Sequence, residues 1–318
     1  MLRSYSISII MPAYNCERFL AATLDSLLSQ TVTDWECVIV DDGSKDKTAE
    51  VAQGYVDRDP RFRLICQTNG GPSAARNHGF RECSSNSKYI TFMDSDDVYL
   101  PEALHILRTE LENHPECIGA HGLADYIDEH GQKVNPGEYA DRGRQRLGFD
   151  GKRLVNWNLS QPTNFDVLVN GNVLFPPGLI LTRKQFYQKA GAFDESFRGP
   201  EDWDMLIRLS RFGDFQFINH VILYYRRHSS NLGAAPGIAE QAWRVRCKAF
   251  FSAENSQEQR KGAKGGWRAY QIHVIGERAT AAKQAVKSRH YVQAINQIAR
   301  VPVHLYRCLR GYPTPVMR

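Results

Sequence analysis

No stretch of this chain approaches the ~18 to 20 consecutive apolar residues that a membrane-crossing helix needs. Hydrophobic residues still make up 42% of the 318 positions, so the shortage is of long runs and not of core material. Cysteine is sparse and scattered. Cys16, Cys37, Cys66, Cys83, Cys117, Cys247 and Cys308 form an odd set with no Cys-x-x-Cys pair. That pattern argues against a disulfide framework and against a zinc site, and a reducing cytoplasmic compartment is expected. The start, Met1 to Met11, carries one Arg and a short apolar patch but no small-residue cleavage site. It runs straight into Pro12-Ala13-Tyr14-Asn15, so a first strand is expected there and not a signal peptide. No repeat of fixed period is present.

Charge is unevenly placed. The net charge is +5, yet from Gln241 onward there are 15 Lys and Arg against 3 Asp and Glu. The first 240 residues are therefore acidic overall, and a boundary is expected between residues 235 and 245. The division predicted is 1–235 as a main domain, with halves 1–100 and 101–235, and 236–318 as a basic helical extension.

Hydrophobic patterning predicts an alternation of strands and helices. Ser6–Met11, Trp35–Val40, Phe62–Cys66 and Tyr89–Met93 read as buried strands. Between them lie a helix capped by Asn15 and ending near Gln30, one capped by Asp46 and running to Val56, and one over Pro72–Phe80. This alternation predicts a parallel, doubly wound α/β sheet flanked by helices. Beyond Pro101 a helix to Asn113, a strand over Ile118–Ala124 and a hairpin over Asp125–Glu138 are expected. Tyr139–Asn172 reads as one long polar loop. Gly178–Thr182 follows as a strand, with a helix from Arg183, a helix over Glu201–Phe212, and short strands over Phe215–Ile218 and Val221–Tyr225. Helical spacing returns over Tyr270–Ala299.

The chemistry is organised around Tyr89-Ile90-Thr91-Phe92-Met93-Asp94-Ser95-Asp96-Asp97. A strand interior could not hold three unpaired carboxylates, so the strand must stop before them. In parallel sheets ligands gather at the carboxyl ends of the strands. Asp94 and Asp96 are two apart and leave an extended segment on one face. A divalent cation relieves their repulsion, and hard oxygen donors suit Mg²⁺ or Mn²⁺ with positions left for substrate phosphates. Taken alone, the same acids fit a turn capping the helix after Pro101 better. Pro12-Ala13-Tyr14-Asn15 and Asp41-Asp42-Gly43-Ser44 end the first two strands on the same edge. Asp41 or Asp42 can accept from a base or ribose, or the segment can be a turn and cap only. Asn69-Gly70-Gly71-Pro72 opens a helix whose N-terminus favours an anion, and Arg76 can pair a phosphate or the nearby carboxylates. Glu201-Asp202-Trp203-Asp204 starts another helix. Acids there suit the helix dipole. The functional reading makes Asp202 a general base, with Glu201 and Trp203 forming a wall for a sugar or acceptor. His228, after Tyr225-Arg226-Arg227, is a candidate metal ligand.

These motifs, in this order and over residues 5 to 230, resemble the inverting family 2 glycosyltransferases, which have the GT-A, Rossmann-like fold. The resemblance rests on Pro12 to Asn15, Asp41 to Ser44, Asn69 to Gly79 with Ala75-Arg76-Asn77, Asp94-Ser95-Asp96 and Glu201-Asp202-Trp203. It implies a nucleotide-sugar donor, with UDP favoured, lined by Pro12, Ala13, Tyr14, Asn15, Asp41, Asp42, Gly43, Arg76, Asp94 and Ser95. It implies Mn²⁺ or Mg²⁺ on Asp96 and His228, with Asp202 as base. The acceptor is expected to be a carbohydrate or lipid-linked hydroxyl, in polysaccharide or glycolipid synthesis of the cell envelope. Gln-x-x-Arg-Trp and membrane helices, which mark the processive members, are absent from the sequence. The rivals are an inactive nucleotide-binding scaffold of the same fold and a nucleotidyltransferase. For the basic tail, residues 241–318, two readings stand level. One is contact with an anionic membrane through cations and Trp243, Phe250, Phe251, Trp267, Tyr270, Tyr291 and Tyr306. The other is helical packing on the catalytic domain or a second subunit. Nucleic acid is not an expected partner.

Overall fold

The computed structural model describes residues 5–150, 153–231 and 237–310. The expected division at 235/236 falls within 232–236, and the last part of the basic tail, 311–318, also lies outside the described residues.

Four strands form as the apolar runs require: β1 (Ile7–Ala13), β2 (Trp35–Asp41), β3 (Phe62–Cys66) and β4 (Tyr89–Phe92). Every residue of β2 and β4 is buried. That explains their largely apolar composition, because a strand covered on both faces has no polar side to show; the one buried charge inside β2, Glu36, accepts from Ser8 Oγ and the Ser84 N–H. The helices between them are α1 (Glu17–Leu28), α2 (Thr48–Val56) and α3 (Pro72–Glu82). Next come β5 (Val98–Tyr99), α4 (Ala103–Asn113), β6 (Gly119–Ile127), α5 (Glu138–Arg144), β7 (Leu147–Phe149), β8 (Leu154–Asn156) and α6 (Phe165–Leu168). They are followed by β9 (Ile180–Arg183), α7 (Lys184–Ala190), α8 (Glu201–Leu209) and β10 (Phe215–Arg226). The chain finishes with α9 (Ile238–Phe251), α10 (Gln257–Lys287), α11 (Tyr291–Ala299) and α12 (Val301–Arg310).

Eight strands share one sheet in the order β3-β2-β1-β4-β9-β6-β10-β5. β3, β2, β1 and β4 are mutually parallel, as is the β6–β10 pair. β9 runs antiparallel to both neighbours and β5 antiparallel to β10, so the sheet is mostly, not wholly, parallel. The carboxyl ends of β1, β2 and β4 lie side by side, with Ala13 opposite Asp41 and Ile10 opposite Phe92. α3 packs closely on this sheet at Gly79, where a Cβ would lie 2.5 Å from Ile10 Cγ2 and 3.1 Å from Val40 Cγ2.

Several expectations change here. Asn15 does not cap α1. Cys16 takes that position without a side-chain bond, and Asn15 adopts a left-handed φ of 48°. Its Oδ1 instead accepts from the Lys45 N–H at 2.8 Å, pinning the loop after β2. The two strands expected over 215–225 are one strand, bent by register shifts between Phe217 and Leu223. The long loop over 139–172 contains a helix, a two-stranded hairpin and a helical turn. The expected hairpin over 125–138 reduces to a turn closed by the Ile127–Lys133 bridge. In the tail, Phe250 and Trp267 are buried and, with Val245, share one core with the sheet. The change of charge near residue 241 is therefore not a break in the core.

Candidate active site

The β1 and β2 ends form one floor. Tyr14 stands 49% exposed there, while Ala13 is buried and its carbonyl accepts from the Asp42 N–H at 2.8 Å. Pro12 lies between them, paired with Val40. Asp41 is buried and accepts from the Ser44 N–H at 3.2 Å. Gly43 has φ 75°, and a Cβ on it would lie 3.0 Å from the Asn69 N, so only glycine lets the two loops close.

The glycine-rich turn does receive an anion, and that anion is Asp42. Its Oδ1 accepts from the Gly70 N–H and Oδ2 from the Gly71 N–H, each at 2.8 Å, and Oδ1 also accepts from Gln67 Nε2 at 2.8 Å. Asp42 thus fastens the turn, and those N–H groups are not open to a phosphate.

Arg76, projecting from α3, is the joint of the site. It is 4% exposed. Its Nη2 donates to Asp94 Oδ1 at 2.8 Å and its Nη1 to Glu201 Oε1 at 2.5 Å. Burial works against the guanidinium charge, but Asp94, Glu201 and Asp202 around it hold its pKa above the ordinary value. Of the two partners the sequence allowed, it takes the carboxylates. One side chain thereby ties the acids after β4 to the acids at the start of α8, residues more than a hundred positions apart.

At the β4 end, His228 Nε2 lies 2.8 Å from Asp96 Oδ2, and His228 Nδ1 lies 3.0 Å from Ser230 Oγ. The Phe19 ring supports the imidazole at a centroid distance of 4.6 Å. The backbone bond from the Arg226 N–H to Asp97 Oδ1 at 3.0 Å brings the end of β10 to this loop. Asp97 is fully buried and its Oδ2 has no hydrogen-bond partner. Burial, with Asp96 and Asp94 beside it, pushes its pKa well above the carboxylate range. Burial also raises Asp94, against the pull of Arg76. Ser95 is turned inward, its carbonyl accepting from Thr23 Oγ1 at 3.0 Å, so it anchors the loop to α1.

At the α8 end, Glu201 is filled by Arg76 and by the Gly199 N–H, which donates to Oε2 at 2.6 Å. Trp203 is 4% exposed and its Nε1 donates to the Leu168 carbonyl at 2.7 Å. Neither presents an open wall; both support the site from beneath. Asp204 pairs with Arg208 and with Lys248 of α9, at 2.9 Å each. Among the described residues no Lys or Arg forms an ion pair with Asp202. Its Oδ2 accepts from Asn172 Nδ2 at 3.2 Å and its Oδ1 from the Trp203 N–H at 2.7 Å. Burial and the adjacent Glu201 push it up to about 7, against Arg76.

The sequence reading missed an aromatic cluster. Tyr126 and Tyr139 lie 4.5 Å apart by ring centroids, Tyr139 stacks on Tyr225 at 5.8 Å, and Phe175 meets Tyr225 edge-on at 5.1 Å. Burial pushes the Tyr139 hydroxyl up, and the charges of Asp97 and Asp202 add to it, so the cluster lies within electrostatic reach of both acids. Tyr139 opens the supposed loop and Phe175 lies just beyond it, in a stretch given no element, so no periodicity marked them. Tyr225 alone stood next to a motif.

Among the described residues no three His, Cys, Asp or Glu side chains converge on one point. Asp96 and His228 meet at 2.8 Å, and this pair offers one carboxylate and one imidazole as candidate donors to a divalent cation.

Similar proteins share this fold. S. aureus TarS, solved in complex with UDP-GlcNAc, superposes with a TM-score of 0.64 over 92% of this chain and 79% of that chain, at 19% identity. The fold is thus GT-A: a mixed α/β sheet, mostly parallel, flanked by helices. Residues 8–189 match the model of glycosyl transferase family 2, and the chain belongs to that family. It is a glycosyltransferase. The uncharacterized glycosyltransferase EpsJ of Bacillus subtilis is 29% identical over 72% of this chain and 63% of its own length. The chondroitin synthase of Escherichia coli is 28% identical over 71% of this chain and 29% of its own. The hyaluronan synthase of Pasteurella multocida is 27% identical over 71% and 21%. This chain spans less than two thirds of the length of each of these three relatives. No helix among the described residues is long and apolar enough to cross a membrane.

Proposed function

We propose that the protein moves a sugar from a nucleotide-diphospho-sugar, with UDP as the nucleotide, to an acceptor hydroxyl of a growing polysaccharide or glycolipid. The displacement is single and inverts the anomeric carbon. The observation that carries this reading is the Arg76 bridge, which joins the loop at Asp94 to Glu201 at the start of α8, next to Asp202. The relatives named for polysaccharide synthesis and the nucleotide-sugar complex of TarS support the donor and acceptor classes.

Residues 1–100 take the nucleotide side in this reading, with Tyr14 and Asp41 at the nucleoside and Asp94 near the sugar. Residues 101–235 take the acceptor side, with Tyr126, Tyr139, Phe175 and Tyr225 as its wall. Asp96 and His228 would hold Mn²⁺ or Mg²⁺, which when bound neutralises charge on the departing diphosphate. Asp202 takes the proton of the acceptor hydroxyl. The acceptor oxygen forms its bond to the anomeric carbon as the sugar–phosphate bond breaks. The electron pair leaves with the nucleoside diphosphate, and no covalent intermediate on the enzyme is needed. A pKa of about 7 suits that base, because it is ionised in half the molecules near neutrality yet still basic.

The test is a panel of nucleotide-sugars, assayed for nucleoside diphosphate release with Mn²⁺ and a saccharide acceptor. Release from one donor, lost in Asp202→Asn, is the expected result. Nucleotide binding without release from any donor would return the chain to the scaffold reading. Release of pyrophosphate would make it a nucleotidyltransferase.

A further inference from the structure

We infer that the outward face of α11 and α12 docks on an anionic lipid surface. The structure divides the basic tail into two parts with different tasks. The first part is committed to the core. Trp267 is 1% exposed, and Phe250 and Phe251 meet it edge-on at 5.1 and 5.5 Å. α10 approaches β7 so closely at Gly265 that a Cβ there would overlap the Phe149 ring. Most of the aromatic surface of this part is thereby spent on packing, although Phe251 keeps 42% of its surface exposed.

The second part leaves its apolar side uncovered. On α11, Tyr291, Val292, Ile295 and Ile298 are between 58% and 73% exposed, while Ala294 is buried. Positions 291, 295 and 298 fall on one stripe of a helix, with 292 at its border. On α12, Val303 and Leu305 flank the buried His304 on its two sides, each nearly half exposed, and Tyr306 beyond them is 45% exposed. Isolated exposed aliphatics need no explanation, but a stripe along one short helix does.

Charge selects the occupant. From Arg278 to Arg318 the chain has eight Lys and Arg and not one Asp or Glu. Lys283 and Lys287 of α10, Arg289 just before α11 and Arg300 just after it are all exposed. A second copy docking through the same face would bring two such cationic segments together, and like charges there oppose association. An acidic lipid surface satisfies both features, because the aliphatics enter the headgroup boundary while the cations meet phosphate. The inference does not depend on the donor or the reaction. It needs only this face.

The test is flotation of the full-length protein with phosphatidylcholine vesicles, with and without phosphatidylglycerol. The protein should float only with phosphatidylglycerol, and high salt should release it. Val292→Ser/Ile295→Ser/Ile298→Ser should weaken binding by about ten-fold or more. Lys287→Glu/Arg289→Glu should weaken it as well. All these residues are exposed and lie outside the proposed cleft, so donor turnover in vesicle-free solution should match the wild type. That control separates failure of docking from failure of the transferase reading. Wild-type protein that stays at the bottom of the gradient overturns the inference, as does a triple variant that floats equally well. Light scattering that finds a dimer abolished by the triple variant, with no vesicle binding, assigns the face to a second copy instead.

Discussion

Asp202 carries the steepest consequences at the scale of single residues. As a base it must be ionised, and its pKa of about 7 stands above the ordinary carboxyl value of 3.8. kcat/KM for transfer should therefore climb as pH rises through about 7 and level off above it. Stability should run the other way. Between about pH 4 and 7 the folded chain holds a proton that the unfolded chain has released, so this group's contribution falls as pH rises across that window. Asp202→Asn cannot ionise. It should lower transfer by about 10²- to 10⁴-fold, leave donor affinity nearly unchanged, and raise Tm above that of the wild type at pH 8. A pH–rate profile and thermal melts at two pH values check both signs. Arg76 is the complementary case. Arg76→Met leaves the Asp94 and Glu201 carboxylates facing each other without their shared cation, and should cost about 3–5 kcal/mol in a urea titration. The identities of these residues were legible in the sequence, because acids clustered after a buried strand must leave it. Their partnerships were not. Nothing in the local pattern shows that Arg76 would choose carboxylates, or that Asp42 would occupy the glycine turn.

At the scale of elements, legibility followed burial. β2 and β4 are covered on both faces, so they stand out as largely apolar runs that end at acids. Residues 139–172 build short elements whose order comes from distant partners. Arg146, for example, is fully buried and donates to the Gln161 and Asn158 carbonyls and to Thr163 Oγ1. Such a clamp has no period to read, which is why the stretch resembled a loop. The two-residue β5 was invisible for the same reason, since it exists only against Leu223 and Tyr224. The contact of α3 with the sheet yields the prediction proper to this scale. Gly79→Ala must push Ile10 and Val40 aside at the centre of the nucleotide half. An overpacked core position costs about 1–3 kcal/mol, so a loss of that size is expected by chemical denaturation. Because β1 leads directly into Tyr14 and β2 ends at Asp41, the same variant should also weaken nucleotide binding, measurable by calorimetry.

For the whole molecule, the sharp change of charge near residue 241 suggested two bodies, yet apolar packing crosses it. Val245, Phe250 and Trp267 share one core with strands that begin at Ile7. Lys248 of α9 also pairs with Asp204, two residues beyond the proposed base, and with Asp194. Charge patterning reports what the surface meets, whereas the core is set by where aliphatic and aromatic side chains can be covered, and here the two disagree. Truncation distinguishes them. Removing residues 237–318 uncovers the core surface that α9 and α10 occupy. Each large buried side chain among them is worth about 1.5–3 kcal/mol, so the summed loss approaches the whole stability of an ordinary domain. That shortened chain should be insoluble or lack a cooperative melt. Removing only residues 291–318 takes away α11 and α12, which add little to the core beyond Ala294 and His304. This second truncation should keep a cooperative melt and donor turnover close to the intact protein, while losing flotation with phosphatidylglycerol vesicles.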